Sequence, residues 1–221
     1  MNAVKPQIIA GAVGDIEIAY ELPAGAVRAL ALICHPHPLH GGAMDNKVVT
    51  TLARACLAMG CATLRFNFRG VGASQGQFDH AVGEVDDAAC ALAWLQSQNG
   101  TGYGQGLPVV LCGFSFGTAV AAQLAQRLLP GQLAAMILAG AAVQRFGGAS
   151  GASGAAVTVP TELTLLVHGE LDDTVPLAET LAWAAPQALP IAVVPQADHF
   201  FNRQLTPLKT LALRHLKALL G

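Results

Sequence analysis

The sequence predicts an open, mostly parallel α/β sheet in three layers, with helices on both faces. Short apolar runs with no polar face recur along the chain, as strands buried on both sides require. Longer segments of mixed polarity alternate with them from residue 29 onward. The 221 residues are 53% hydrophobic and 12% charged, enough to bury a sizeable core and too apolar for a disordered or coiled-coil chain. No compositional break and no internal repeat divides the chain, so residues 1–221 are expected to form a single domain.

Taken in order, residues 8–22 alternate loosely through Ile16, Ile18, Tyr20 and Leu22, with a turn at Gly14-Asp15. They read as an antiparallel pair at the N-terminal edge. The buried strands are expected at 29–34, 62–68, 108–114, 134–143, 163–168 and 191–195, and helices at about 45–60, 81–98, 117–129, 176–188 and 206–220. The last helix has Thr206 as its expected N-cap, Pro207 in its first turn, and Leu208, Leu211, Leu216 and Leu219 on one face. Residues 147–156 (GGASGASGAA) are the one low-complexity stretch and read as a mobile loop, too short for a folded lid.

Charge and targeting narrow the function further. Twelve Lys and Arg against 14 Asp and Glu give a net charge of −2 without charge runs. That leaves no footprint for nucleic acid or anionic lipid. Residues 105–126 lack charged side chains, but Pro108, Gly113, Ser115 and Gly117 interrupt them, so strand, turn and buried helix fit better than a spanning helix. The start, Met-Asn-Ala-Val-Lys-Pro, lacks the apolar stretch of a secretory signal. Five cysteines, at 34, 56, 61, 90 and 112, lie in apolar segments and read as free thiols of a reducing compartment. The expectation is a cytoplasmic protein without nucleic-acid or membrane partners.

Chemistry enters at Gly113-Phe114-Ser115-Phe116-Gly117, where a predicted strand runs into a predicted helix. In a G-x-S-x-G turn the flanking glycines let backbones approach closely, and the serine hydroxyl projects above the sheet. The Phe116 amide then faces the place where an oxyanion would form. A small residue in a tight turn is the plain alternative, which the strand-before, helix-after context disfavours.

Ser115 needs a base and an acid further along the chain. Since Phe116–Thr161 holds no acidic residue, the acid must follow the 163–168 strand, from Glu170, Asp172 or Asp173. Asp172 is the choice, with Asp173 a candidate cap for the helix opened by Pro176. Two histidines remain downstream: His215 lies inside the last helix, whereas His199 follows the last strand, at the edge where open sheets place their sites.

Cys34-His35-Pro36-His37-Pro38-Leu39-His40-Gly41-Gly42 leaves the first buried strand at that same edge. A second oxyanion donor belongs in this loop. The prolines have no N–H, so the His37 amide is the candidate, with Leu39 as fallback. A metal held by His35, His37 and His40 is the competing reading, but the next carboxylate is Asp45 and a metal would duplicate Ser115. His35 and His40 pinning the loop through hydrogen bonds is compatible with the oxyanion role. Residues 69–76 (RGVGASQG) superficially match a dinucleotide loop, yet Glu84, Asp86 and Asp87 fall in a helical segment and not on the next strand. A turn fits better.

These motifs, together with Arg69-Gly70-x-Gly72-x-Ser74, His168-Gly-Glu-Leu-Asp-Asp-Thr-Val-Pro176 and Asp198-His-Phe-Phe201, resemble the α/β-hydrolase superfamily over nearly the whole chain from residue 29. The segment His35–Val49 is similar to that of a small bacterial family of lidless serine hydrolases, related to dienelactone hydrolases and to the catalytic domains of prolyl oligopeptidases. The resemblance implies an α/β-hydrolase fold without a cap domain. The chain departs from dienelactone hydrolase in carrying serine where that enzyme uses cysteine.

The expected chemistry is acyl transfer to water from a small-molecule acyl substrate, without metal or organic cofactor. Ser115 attacks, His199 takes its proton, Asp172 orients the imidazole, and the Phe116 and His37 amides hold the oxyanion. Leu39, Phe114, Phe116, Phe200 and Phe201 are candidates for an apolar wall, with Phe114 equally suited to the core. Without a lid, small or short-acyl esters are expected over lipids. Thioester or amide cleavage by the same groups, or an idle fold used for binding, are the alternatives. A histidine base must be neutral, so activity should rise through about pH 6 to 7.

Overall fold

In the computed structural model, residues 4–98, 106–146 and 157–221 are described. The strands are β1 (Gln7–Ala10), β2 (Asp15–Glu21), β3 (Ala29–Cys34), β4 (Cys61–Phe66), β5 (Val109–Phe114), β6 (Leu133–Ala139), β7 (Thr164–Gly169) and β8 (Ile191–Val194). They form one eight-stranded sheet in the order β1-β2-β4-β3-β5-β6-β7-β8. The first two pair antiparallel, as their alternation requires, and β2 lies antiparallel on β4. From β4 to β8 every pairing is parallel.

Helices α1 (Lys47–Ala58) and α6 (Leu205–Leu220) cover one face, while α2 (Gly83–Gln96), α3 (Phe116–Ala125) and α5 (Leu177–Ala184) cover the other. A short α4 (Val143–Phe146) follows β6. Alternation along each strand feeds both layers. Leu30 and Leu32 of β3 join one core, and Ala31 and Ile33 the other. Asn46 caps α1 by accepting the Val48 N–H at 2.9 Å.

Several local expectations are corrected. The β6 strand ends at Ala139, not at residue 143, because Gly140 adopts φ 55° and turns the chain over the sheet edge. Thr206 does not cap α6; the helix begins at Leu205 behind turns closed by Phe201 N–H on Asp198 O and Gln204 N–H on Phe201 O. α3 stops at Ala125, and turns lead from there towards Pro130.

Residues 69–76 are a fastening turn. Gly72 packs so closely on Glu17 and Asn67 that a β-carbon would lie 2.3 Å from Glu17 Oε2. The Arg69 guanidinium folds back onto buried Asp87 of α2, at 2.8 and 3.0 Å. The uncharged stretch 105–126 contributes β5 and α3, and among the described residues no helix is long and apolar enough to cross a membrane. Cys34, Cys56, Cys61 and Cys112 are buried free thiols, while Cys90 is half-buried. The stretch 147–156 lies outside the described residues.

Candidate active site

The C-terminal ends of β3, β5, β7 and β8 assemble the candidate site. At the end of β5, Ser115 stands at φ 54° and ψ −122°, directly before the first turn of α3. Its N–H donates to Ala139 O at 2.9 Å, and its carbonyl accepts from the Thr118 hydroxyl and N–H. The flanking glycines are obligatory by contact. A β-carbon on Gly113 would lie 2.5 Å from Gly117 O, and one on Gly117 would lie 2.4 Å from Cys34 O.

After β8 the chain turns at Asp198, whose carboxylate accepts the Asn202 N–H, and presents the buried His199 ring. His199 Nε2 lies 2.9 Å from Ser115 Oγ. His199 Nδ1 lies 2.7 Å from Asp172 Oδ2. Phe114 stacks under the imidazole with centroids 5.0 Å apart, and Gly140 leaves room for it, since a β-carbon there would be 3.2 Å from Cε1.

Asp172 follows β7 in a loop tied to the β8 end by Leu171 N–H on Ala197 O. Its Oδ1 accepts the N–H of Thr174 at 3.1 Å and of Val175 at 2.8 Å, which leaves Oδ2 for the imidazole. Asp173 is exposed and touches Thr174 Oγ1, and Glu170 accepts the Gln196 N–H. Asp173 does not cap α5, whose start carries no side-chain cap; the loop's N–H groups are taken by Asp172.

The loop after β3 curls tightly, with Gly42 and His40 N–H both donating to His37 O. His35 is fully buried, its Nδ1 2.6 Å from Pro36 O and its Nε2 accepting the Phe68 N–H at 3.0 Å. Burial pushes its pKa down to about 4. Geometry says the same, since one nitrogen must donate and the other accept. His40 is exposed and touches the His37 ring, with no hydrogen bond from its own ring among the described residues. The Leu39 N–H is occupied by His37 Nδ1 at 3.2 Å. The His37 and Phe116 amides have no acceptor among the described hydrogen bonds, and both residues border the cavity. Burial, then repulsion from His40 and His80, lowers the His37 pKa.

That cavity, about 260 Å³, opens over Ser115 and is walled by Pro36, His37, Phe116, Phe146, Val175 and Phe200. The aromatic wall differs from the expected one. Leu39 is 68% exposed and does not line the cavity, whereas Phe114 and Phe201 are wholly buried, Phe201 in the same core layer as Ala197, Leu208 and Ala212. Phe201 turns inward because its backbone takes φ 51°. Phe200 does line the cavity. Ala142, Arg145 and Phe146, missed by sequence reasoning, stand on the turn beyond β6. Ending β6 at Gly140 would have placed them at the sheet's functional edge.

The fold is that of an α/β hydrolase, with no lid domain among the described residues. A family model described as serine aminopeptidase, S33, matches residues 26–152, and the chain belongs to that family. The matched span contains Ser115 and ends before Asp172 and His199. The chain is 37% identical to an α/β serine hydrolase homologue from Coxiella burnetii, covering 98% of this chain and 99% of that one at a TM-score of 0.82. A lidless α/β serine hydrolase from Xanthomonas campestris is 30% identical, covering 97% and 94% at 0.81. An uncharacterized protein from Rickettsia prowazekii is 46% identical over 123 residues, 55% of this chain; the chain spans about half (50%) of that relative's length.

Proposed function

We propose that the protein hydrolyses small or short-acyl carboxylic esters through an acyl-enzyme on Ser115. What carries the reading is the unbroken contact from Ser115 Oγ to His199 Nε2 at 2.9 Å and from His199 Nδ1 to Asp172 Oδ2 at 2.7 Å. As Ser115 Oγ attacks the substrate carbonyl carbon, its proton passes to Nε2, and the Asp172 carboxylate stabilises the resulting imidazolium. The carbonyl oxygen takes the negative charge and is held by the Phe116 and His37 amides. Collapse of the adduct expels the alcohol, which takes the proton from Nε2. Water then attacks the acyl-enzyme by the same route. The working partner is a small acyl substrate in the apolar cavity, within a protein of the cytoplasm.

Fluorophosphonate labelling of wild type but not of Ser115→Ala, with an acyl-length series of chromogenic esters, tests this. Absence of labelling in folded wild-type protein would leave an idle binding fold. Amide or peptide cleavage is a second reading, favoured by the description of the matching family model as a serine aminopeptidase. Rates on matched ester, thioester and anilide compounds separate the two.

A further inference from the structure

A second imidazole stands on the acid, and the mechanism above does not use it. His168, on β7, is fully buried, with Nε2 2.8 Å from Val175 O and 3.3 Å from Asp172 Oδ2. A carbonyl oxygen only accepts, so Nε2 must carry the hydrogen. Nδ1 is then the acceptor of the pair with the Thr180 hydroxyl of α5, 3.3 Å away, whose single hydrogen is shared between Nδ1 and the Ala141 carbonyl at 3.2 Å. Burial favours the neutral ring.

Val175 is therefore gripped from both sides. Its N–H donates to Asp172 Oδ1 at 2.8 Å, and its carbonyl accepts from His168. Asp172 Oδ2, the oxygen that meets His199, also faces the positive end of the His168 N–H dipole. Among the described residues, the other titratable groups facing this cluster are His199 and Arg145, which donates to Thr174 O and is paired with Glu179 of α5. We propose that His168 is a positioning residue for the hydrolytic centre, holding Asp172 in register with His199 through the Val175 carbonyl and the N–H dipole at Oδ2. The inference rests on the reading of Ser115, His199 and Asp172 as the hydrolytic machinery.

The test combines histidine-selective ¹⁵N NMR with kinetics of His168→Leu and His168→Gln. In the wild type, His168 should stay neutral and protonated on Nε2 across about pH 6 to 8. In His168→Leu, the downfield His199 Nδ1–H resonance should move or vanish, and kcat should fall roughly tenfold or more with KM little changed. The acid limb of kcat/KM should shift to higher pH, because an Oδ2 without the second N–H attracts the imidazolium more strongly. Glutamine places an N–H near the former Nε2 and should restore kcat to within about threefold. A proton on Nδ1, a charged His168 at neutral pH, or a His168→Leu protein with unchanged resonance, kcat and acid limb would overturn the proposal. The tautomer is read without any variant, and both resonances without turnover. A wild type that fails to label at Ser115 therefore defeats the hydrolytic reading while His168 is still judged by NMR.

Discussion

Ser115 holds φ 54° and ψ −122°, a conformation that costs a side-chain-bearing residue about 1–3 kcal/mol. The surrounding contacts enforce it: Gly117 lies against the Cys34 carbonyl and Gly113 against Gly117. Gly117→Ala should therefore destabilise the fold by about 2 kcal/mol or more and abolish fluorophosphonate labelling, checked by urea titration and gel fluorescence. The acid gives a sharper contrast. Asp172→Asn preserves shape but offers the imidazole the wrong partner, and should lower kcat roughly 10,000-fold on a responsive ester. Asp173→Asn, one residue away and exposed, should leave kcat unchanged. Equal losses in both would mean the imidazole is oriented by something other than Asp172.

The loops that leave β3 and β4 depend on buried polar contacts. His35 joins them by accepting the Phe68 N–H, and burial holds its pKa near 4 against an ordinary 6.5. A pKa depressed in the folded state means the unfolded chain binds the extra proton first. His35 thus contributes its full stability above about pH 6.5. That contribution declines as pH falls towards 4, by up to about 3 kcal/mol. Burial lowers the pKa of His168 and His215 in the same direction, so the diagnostic quantity is a difference. The urea midpoint of wild type should fall more steeply between pH 7 and pH 4.5 than that of His35→Gln. The Arg69–Asp87 pair acts at the same level, tying the turn after β4 to α2 with both partners buried. Asp87→Ala leaves the buried guanidinium only its longer contact with Asp79, at 3.8 Å, and should cost up to about 3–5 kcal/mol in equilibrium unfolding.

Across the whole molecule, one sheet separates two apolar layers, and the site lies where their strands end. Phe66 anchors the layer under α2 and α3, and Phe201 the layer under α1 and α6. Truncating either to alanine should cost about 3–5 kcal/mol in chemical denaturation. Phe201→Ala should also slow ester hydrolysis, because Phe201 lies in the His199 loop and its N–H closes the turn on Asp198 O, whereas Phe66→Ala should spare turnover below the melting range. Equal kinetic losses would show that the layers are coupled through the sheet.

Much of this architecture is legible in the chain itself. Strands buried on both faces must be apolar on both faces, so the runs at 29–34 and 108–114 locate β3 and β5 almost to the residue. The G-x-S-x-G turn points to Ser115, elimination leaves His199 against His215, and it narrows the acid to Glu170, Asp172 and Asp173, with Asp172 the preferred choice, because few such groups stand at the ends of those runs. Side-chain direction within loops was not legible. Phe200 faces the cavity and Phe201 the core, with Phe201 at φ 51° in a turn closed by its N–H on Asp198 O, a conformation that neighbouring residue types do not encode. The cavity wall at Arg145 and Phe146 arises from the turn at Gly140, and His168 meets Asp172 because the loop after β7 folds back to bring Val175 O and Asp172 Oδ2 to the same ring nitrogen. Periodicity follows from local geometry repeated along a strand or helix, so it survives in one dimension. Contacts between loops depend on backbone angles set by distant neighbours, so they exist only once the chain has folded.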